Sequence, residues 1–457
     1  MERRFTVRKR KMLEECEVSV NVFRGMLLRL KSFFGPFVEC LDQPAQREHA
    51  GKYVSGLVSD LDRKNIESIA YRHDEDRQKL QHFIGAARWD HRPLVTELVH
   101  AVGKELGEDD GVIVFDPSAF PKKGTRSVGV GRQWCGRLGK VDNCQVAVYM
   151  GYVSRKDHVL VDMRLYLPKA WTGDRKRCKA AGVPKGVRYQ TRHAQALDML
   201  REQGESLPHA WITGDDEMGT SACFRRDLHE MSETYFLAVP RTTTIRDLEV
   251  EPPPYQGRGA APKRSFQQVH RWREALRPNA WRRIDVRDGE KGPLVIEAVA
   301  CRVQTKIKQR LMTYDETLVI IRCRDQAGVT KYDYYFSNAP AETPLEEFAR
   351  VSKAAHRIEE CIKRAKSEAG LADYEVRTWK GWHHHQTLSL IATWFLVVES
   401  RRGKKMDTCD HSAADPRRHQ FHPAPRLRMR YSLPNPARTR AVAHSQRTRP
   451  PLSLETA

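Results

Sequence analysis

Apolar positions in the first hundred residues recur every three to four places: Leu57 and Leu61, then Leu80, Phe83 and Ile84, then Leu94, Leu98 and Val102. That interval is one helical turn and predicts a helical region over 1–107. Gly-Glu-Asp-Asp-Gly at 107–111 is a turn-forming break, and the period changes after it. VIVFD at 112–116 is an apolar run ending in Asp116, the pattern of a strand buried on both faces. QVAVYMGYV at 145–153 and HVLVDMRLYL at 158–167, joined by a short turn, predict a hairpin. A helix over 189–203 puts Ala196, Leu197 and Leu200 on one face, and AWITGD then brings a strand to Asp215. A helix at 218–231 and the strand TYFLAVP at 234–240 complete the order β-β-β-α-β-α-β. That is the order of a ribonuclease-H-like α/β fold, a mixed sheet flanked by helices, whose first and fourth strands are neighbours. Asp116 and Asp215 are therefore expected at adjacent strand ends.

Residues 108–240 thus form the first part of a core, and 241–342 read as a β-rich insertion with strands at LVIEAVACRV, LVIIRCR and KYDYYFSN. Residues 343–400 return to helical spacing. Thr343 is the expected cap, with Pro344 in the first position and Glu346 three residues after the cap. Phe348, Val351, Ala355, Ile358, Ile362 and Ala365 form the apolar stripe, and Glu359 stands beside it. A second helix over 386–399 is apolar on most of its surface. From 401 to 457 the chain turns Pro-, Arg- and His-rich without apolar period, the composition of a disordered basic tail, and it reads like the product of a shifted frame.

A chain of 457 residues with 40% apolar and 30% charged composition suits a multi-unit globular protein. The most apolar late stretch, 388–398, is far shorter than the roughly 20 residues that span a bilayer. The N-terminus has no apolar signal core, so the chain reads as cytoplasmic with no membrane partner. Ten scattered cysteines without a C-x-x-C pair point to reduced thiols. A net charge of +21 and a pI near 9.6 favour a polyanionic partner, nucleic acid above all.

Phosphodiester chemistry needs an activated nucleophile, a neutralised transition state and a stabilised leaving oxygen. Two Mg²⁺ ions about 3.5–4 Å apart supply all three, and carboxylates are the ligands they prefer. Asp116, Asp215 and Glu359 are the expected catalytic and metal-holding set. Single residues carry little weight: an Asp that ends a strand often only caps the next helix, and Asp216, Glu217 and Glu360 are rivals by position. Lys122, Lys123, Arg126, Arg132, Arg137 and Lys140 follow the first Asp in an expected loop, where they are placed to hold backbone phosphates. G-T-R-S-V-G-V-G at 124–131 lacks the Gly-Lys-Ser/Thr ending of a phosphate loop, so no nucleotide cofactor is expected. His383, His384 and His385 cannot share one ion, because consecutive helical side chains diverge by about 100°; packing at a helix start or a DNA-facing role is expected. The segment 228–231 lacks the second His of a zinc protease helix.

FDPSAFPKKGTRSVGVGRQWCGRLGKVDNCQVAV, LYLPKAWTGDRKRCKAAGVP, WITGDDEMG and AAHRIEECIKRAKSEAGLADYEVRTWKGWHHHQTLSLIA resemble the catalytic blocks of bacterial insertion-sequence transposases of the DDE superfamily. The resemblance covers roughly 50–400, within the branch that carries a β insertion before its glutamate. It implies Asp116, Asp215 and Glu359 as the metal triad, two Mg²⁺ ions with Mn²⁺ able to substitute, cleavage at element ends and strand transfer into target DNA. It also implies that the 1–107 region helps bind terminal repeats, and that synapsis of two ends is made by a homodimer. In the Y-x2-R-x3-E-x6-K pattern of similar transposases, Glu359 and Lys366 fit, with Lys366 a further DNA contact. Ser352 and Ala355 stand where Tyr and Arg belong. Two rivals stay open: a nuclease of the same fold without strand transfer, and a DNA-binding remnant without chemistry.

Overall fold

The structure is a computed structural model that describes residues 25–259, 263–287, 294–305, 315–324 and 328–411. The described chain opens with helices α1 (Met26–Glu39), α2 (Pro44–Leu57), α3 (Ile66–Arg72), α4 (Arg77–Gly85) and α5 (Arg92–Leu106). Asn65 and Asp76 cap α3 and α4 by accepting backbone N–H bonds from Ser68 and Gln78. The periodic positions Leu57, Leu80, Phe83, Ile84, Leu94, Leu98 and Val102 are buried. They join the same core as the sheet that follows, so this helical region has no separate interior.

The sheet begins with β1 (Val112–Pro121), β2 (Gly131–Cys135), β3 (Lys140–Val153) and β4 (His158–Leu165). Two short helices follow, α6 (Lys169–Thr172) and α7 (Arg175–Ala180), then α8 (Arg192–Gln203) and β5 (Trp211–Gly214). The expected helix at 218–231 is two pieces, α9 (Asp216–Thr220) and α10 (Ala222–Glu230), because Ser221 stops the first and caps the second through Phe224 N–H; β6 (Tyr235–Ala238) comes next. Strand order is β4-β3-β1-β5-β6, with β1, β5 and β6 mutually parallel and β3 antiparallel to both neighbours, the ribonuclease-H-like arrangement.

The insertion contributes β7 (Thr244–Asp247), β8 (Gln267–Gln268), α11 (Val269–Glu274), β9 (Arg282–Arg287), β10 (Leu294–Thr305), β11 (Glu316–Arg324) and β12 (Thr330–Ser337). These strands do not form a sheet of their own. β12 pairs antiparallel with β6, and β11, β10, β7 and β8 continue outward, giving one twelve-stranded sheet. β11 is buried on both faces: Val319 and Ile321 enter the main core, while Leu318 and Ile320 enter a second cluster with Val269, Trp272 and Phe336.

Two long helices close the fold, α12 (Leu345–Glu368) and α13 (Trp379–His411). Pro344, not Thr343, holds the cap position of α12, and no side chain caps it; Glu346 and Glu347 in the first turn instead favour the positive helix end. α13 starts seven residues before the expected 386 and runs through 401–411, which the sequence assigned to the tail. Residues 412–457, the rest of that tail, lie outside the described residues. No described helix is long and apolar enough to cross a membrane. The cysteines with described side chains are free.

Candidate active site

The parallel β1–β5 ladder ends at the pair Phe115–Gly214, so the next residue on each strand, Asp116 and Asp215, stands at the mouth of the sheet. β1 does not end there as expected. It runs on to Pro121 against β3, with Asp116 opposite Tyr149. β5 does end, and Asp215 becomes the cap of α9, accepting a 3.1 Å bond from Met218 N–H. The capping and the pocket-facing readings of Asp215 are therefore both realised, since capping occupies one carboxylate oxygen. Gly214 permits this abrupt turn: a Cβ there would lie 3.0 Å from the Met218 side chain and 3.1 Å from the Phe115 carbonyl.

Glu359 arrives on α12. Gly151 of β3, paired with Val114, leaves room for the Ile358 side chain, whose nearest carbon would be 3.1 Å from an added Cβ. A β-bulge between Met150 and Gly151 marks the same spot in the β3–β4 ladder. Glu359, the neighbour of Ile358, thereby lines one pocket with Asp116 and Asp215. The pocket encloses about 420 Å³, and Asp216, Asp333, Arg241, Tyr332 and His356 also line it.

The rivals separate by their partners. Glu360 pairs with Arg357 at 2.8 Å and faces His158, and Glu217 pairs with Arg192; neither lines the pocket. Asp216 does line it.

Asp116 is half-buried and accepts no hydrogen bond among the described residues. Burial first, and the nearby charge of Glu359 second, push its carboxyl up to about 6, with Lys366 opposing. Asp215 faces the pocket but is ringed by protein, and burial followed by the charge of Asp116 raises it to about 7. Among the described residues no three His, Cys, Asp or Glu side chains converge tightly enough to hold an ion as they stand. Repulsion between the like charges adds to the burial that raises both values. The donor set is nevertheless all oxygen, the chemistry that a hard divalent cation takes.

Lys366 donates to Ser118 Oγ at 3.0 Å, lies over the Phe120 ring at 4.5 Å, and is close enough to Asp116 to share its field. The expected basic loop is a loop over 122–130 that leads into a hairpin. Arg132 lies on β2, Arg137 in the turn, and Lys140 at the start of β3, all exposed like Lys123 and Arg126. Lys122 differs: its ammonium donates to the Tyr374 carbonyl at 3.2 Å and sits 3.5 Å from that ring's centroid, and burial lowers its pKa to about 8.

The three histidines are buried, which overturns the DNA-facing reading. His383 bonds the Trp379 carbonyl, His384 bonds the Ile84 and Trp89 carbonyls, and His385 bonds Tyr53 Oη at 2.8 Å. Burial holds their values near 3 to 4.

Arg241 and His356 were missed by sequence reasoning. Arg241 could have been found, since it follows directly on the 234–240 strand run, and ligands gather at strand ends of such sheets. His356 carried no signal beyond standing one turn before Glu359.

Residues 36–293 match the family described as DDE superfamily endonuclease. The probable transposase for insertion sequence element IS701 of Microchaete diplosiphon is 37% identical over 194 residues, 42% of this chain. The chain spans about half the length of that relative, 48%. A cryo-EM structure of the piggyBac transposase synaptic complex with hairpin DNA aligns over 83% of this chain and 74% of its own, with a TM-score of 0.37 and 10% identity.

Proposed function

The chain belongs to the DDE superfamily endonucleases, and from that premise we propose that it is a DNA transposase that cuts the ends of an insertion sequence and joins them to target DNA. The observation that carries this reading is the acidic pocket at the end of the β1–β5 ladder, lined by Asp116, Asp215 and Glu359. These three residues are the proposed holders of two Mg²⁺ ions, for which Mn²⁺ substitutes. Held by these side chains, the ions would supply activation of the attacking hydroxyl and neutralisation of the phosphate charge.

The protein's part is placement. Asp116 is fixed by β pairing on both sides of its position, and Asp215 is oriented by its bond to Met218 N–H. Glu359 comes from a separate helix, α12. Lys366, braced by Ser118, is placed to hold a strand phosphate beside Asp116. Lys123, Arg126, Arg132, Arg137 and Lys140 extend a basic surface along which the DNA backbone lies, without reading its sequence. Two ends are held by two copies of the chain, with the α1–α5 region binding the terminal repeats.

The test is an assay of the purified protein on labelled element ends with Mg²⁺ or Mn²⁺. Nicking followed by joining into a second DNA is expected. Asp116→Ala should abolish nicking and leave DNA binding in place. Nicking without joining makes the protein a nuclease, binding without nicking makes it a remnant, and cleavage by Asp116→Ala removes that residue from the triad.

A further inference from the structure

The acidic pocket is lined by five carboxylates, those of Asp116, Asp215, Asp216, Asp333 and Glu359, and among the described residues by one guanidinium, that of Arg241. A phosphodiester adds negative charge to this crowd, so a fixed cation on the opposite wall bears directly on how the strand is gripped. α12 brings His356 to the lining, and its Lys366 stands beside Asp116 without lining the pocket. Ser352 is buried and donates its hydroxyl to the Ala349 carbonyl, and Ala355 presents only a methyl to the pocket.

Arg241 enters from the other side, at the centre of a tight turn closed by Thr243 N–H to the Pro240 carbonyl at 2.9 Å. Its own carbonyl accepts two bonds from His270, one from the backbone N–H at 3.2 Å and one from Nδ1 at 3.0 Å. The backbone is therefore held at three points. The guanidinium is exposed and makes no hydrogen bond or ion pair with any described residue, although carboxylates share its pocket. A pinned backbone carrying an open fork of donors is the arrangement that suits planar, bidentate recognition of a phosphate.

We propose that Arg241 is the residue that clamps the backbone phosphate of the DNA strand lying in the acidic pocket, from the insertion side of the sheet. This rests on the reading of the pocket as a DNA-processing site. It assigns the insertion a direct substrate contact, because the turn that presents Arg241 is braced by His270 of α11.

The experiment measures the affinity of the full chain for DNA duplexes in which each backbone linkage in turn is an uncharged methylphosphonate. Wild type is expected to lose roughly tenfold or more in affinity when the clamped linkage is neutral, the scale of a hydrogen bond to a charged group. Arg241→Ala should bind charged and neutral duplexes equally at that linkage, and Arg241→Lys should restore part of the difference. Equal melting temperatures of the variants and wild type keep misfolding out of the comparison, which the exposure of this side chain favours. An unchanged penalty in Arg241→Ala, or no penalty at any linkage in wild type, overturns the proposal. Because the readout is binding, it is distinct from the failure of the transposase reading, which shows as a wild type that holds DNA and never nicks it.

Discussion

At the scale of single residues, the raised carboxyl values of Asp116 and Asp215 have a definite consequence for stability. An unfolded aspartate titrates near its ordinary 3.8, whereas here the folded groups stand at about 6 and about 7. Their protonated forms fit the fold better, so this contribution is fully present below about pH 4 and is lost as pH rises through 6 to 7. The buried imidazoles of His383, His384 and His385 act in the opposite sense, with folded values below the ordinary 6.5, so they withdraw stability as pH falls from about 6.5 toward 3 to 4. Comparison with Asp116→Asn cancels the histidines and isolates the carboxylates. In EDTA, Asp116→Asn is expected to melt higher than wild type at pH 8, with the gap narrowing at pH 5 and closing near pH 4; a gap that is constant or reversed excludes the effect. Added Mg²⁺ should raise the wild-type melting temperature at pH 8, raise it less at pH 5, and leave Asp116→Asn nearly unmoved, since the ion binds ionised carboxylates.

At the scale of elements, the hairpin of β2 and β3 carries Arg132, Arg137 and Lys140 into solvent beyond the pocket. If each meets one phosphate, the triple alanine variant should bind DNA more weakly and lower the slope of log affinity against log salt by about 2 to 3; an unchanged slope removes the hairpin from the DNA path. The core strands were legible because runs such as VIVFD and TYFLAVP are buried on both faces and short, and the α12 stripe because its period is helical. The sequence placed Asp116 and Asp215 at expected strand ends and Glu359 by its spacing from Lys366, and the structure brings these three residues to one pocket. Less visible were features decided by contacts far along the chain. Whether Asp116 ends a strand depends on β3 pairing beyond it, and the orientation of Lys122 depends on Tyr374. The start of α13 was hidden because Trp379 to His385 interleave Gly381 with large, polar-edged residues, and the backbone partners of His384 and His385, Ile84, Trp89 and Gly370, lie outside this helix.

At the scale of the whole molecule, the insertion and the core are one sheet, and one buried polar network locks their seam. Arg225 of α10 donates to Glu316 of β11 at 2.7 Å, and Tyr235 Oη of β6 donates to the same carboxylate at 2.6 Å. Thr305 of β10 donates to its other oxygen at 3.2 Å. Arg225 and Glu316 are only 4% and 2% exposed, so removing Glu316 takes from Arg225 the carboxylate it is bonded to in the interior. Glu316→Ala is expected to cost about 3–5 kcal/mol, read as a lowered denaturant midpoint, whereas replacing Arg225 and Glu316 together with apolar residues should cost much less. The same seam sets what excision of 241–342 does. A modular insertion leaves a folded core behind, but here the cut uncovers the hydrogen-bonding edge of β6 and removes the Glu316 carboxylate to which Arg225 and Tyr235 donate. The shortened chain should therefore aggregate or fail to melt cooperatively. A soluble, cooperatively folding product would show that the first six strands are self-sufficient and that the continuous sheet is not what steadies the acidic pocket.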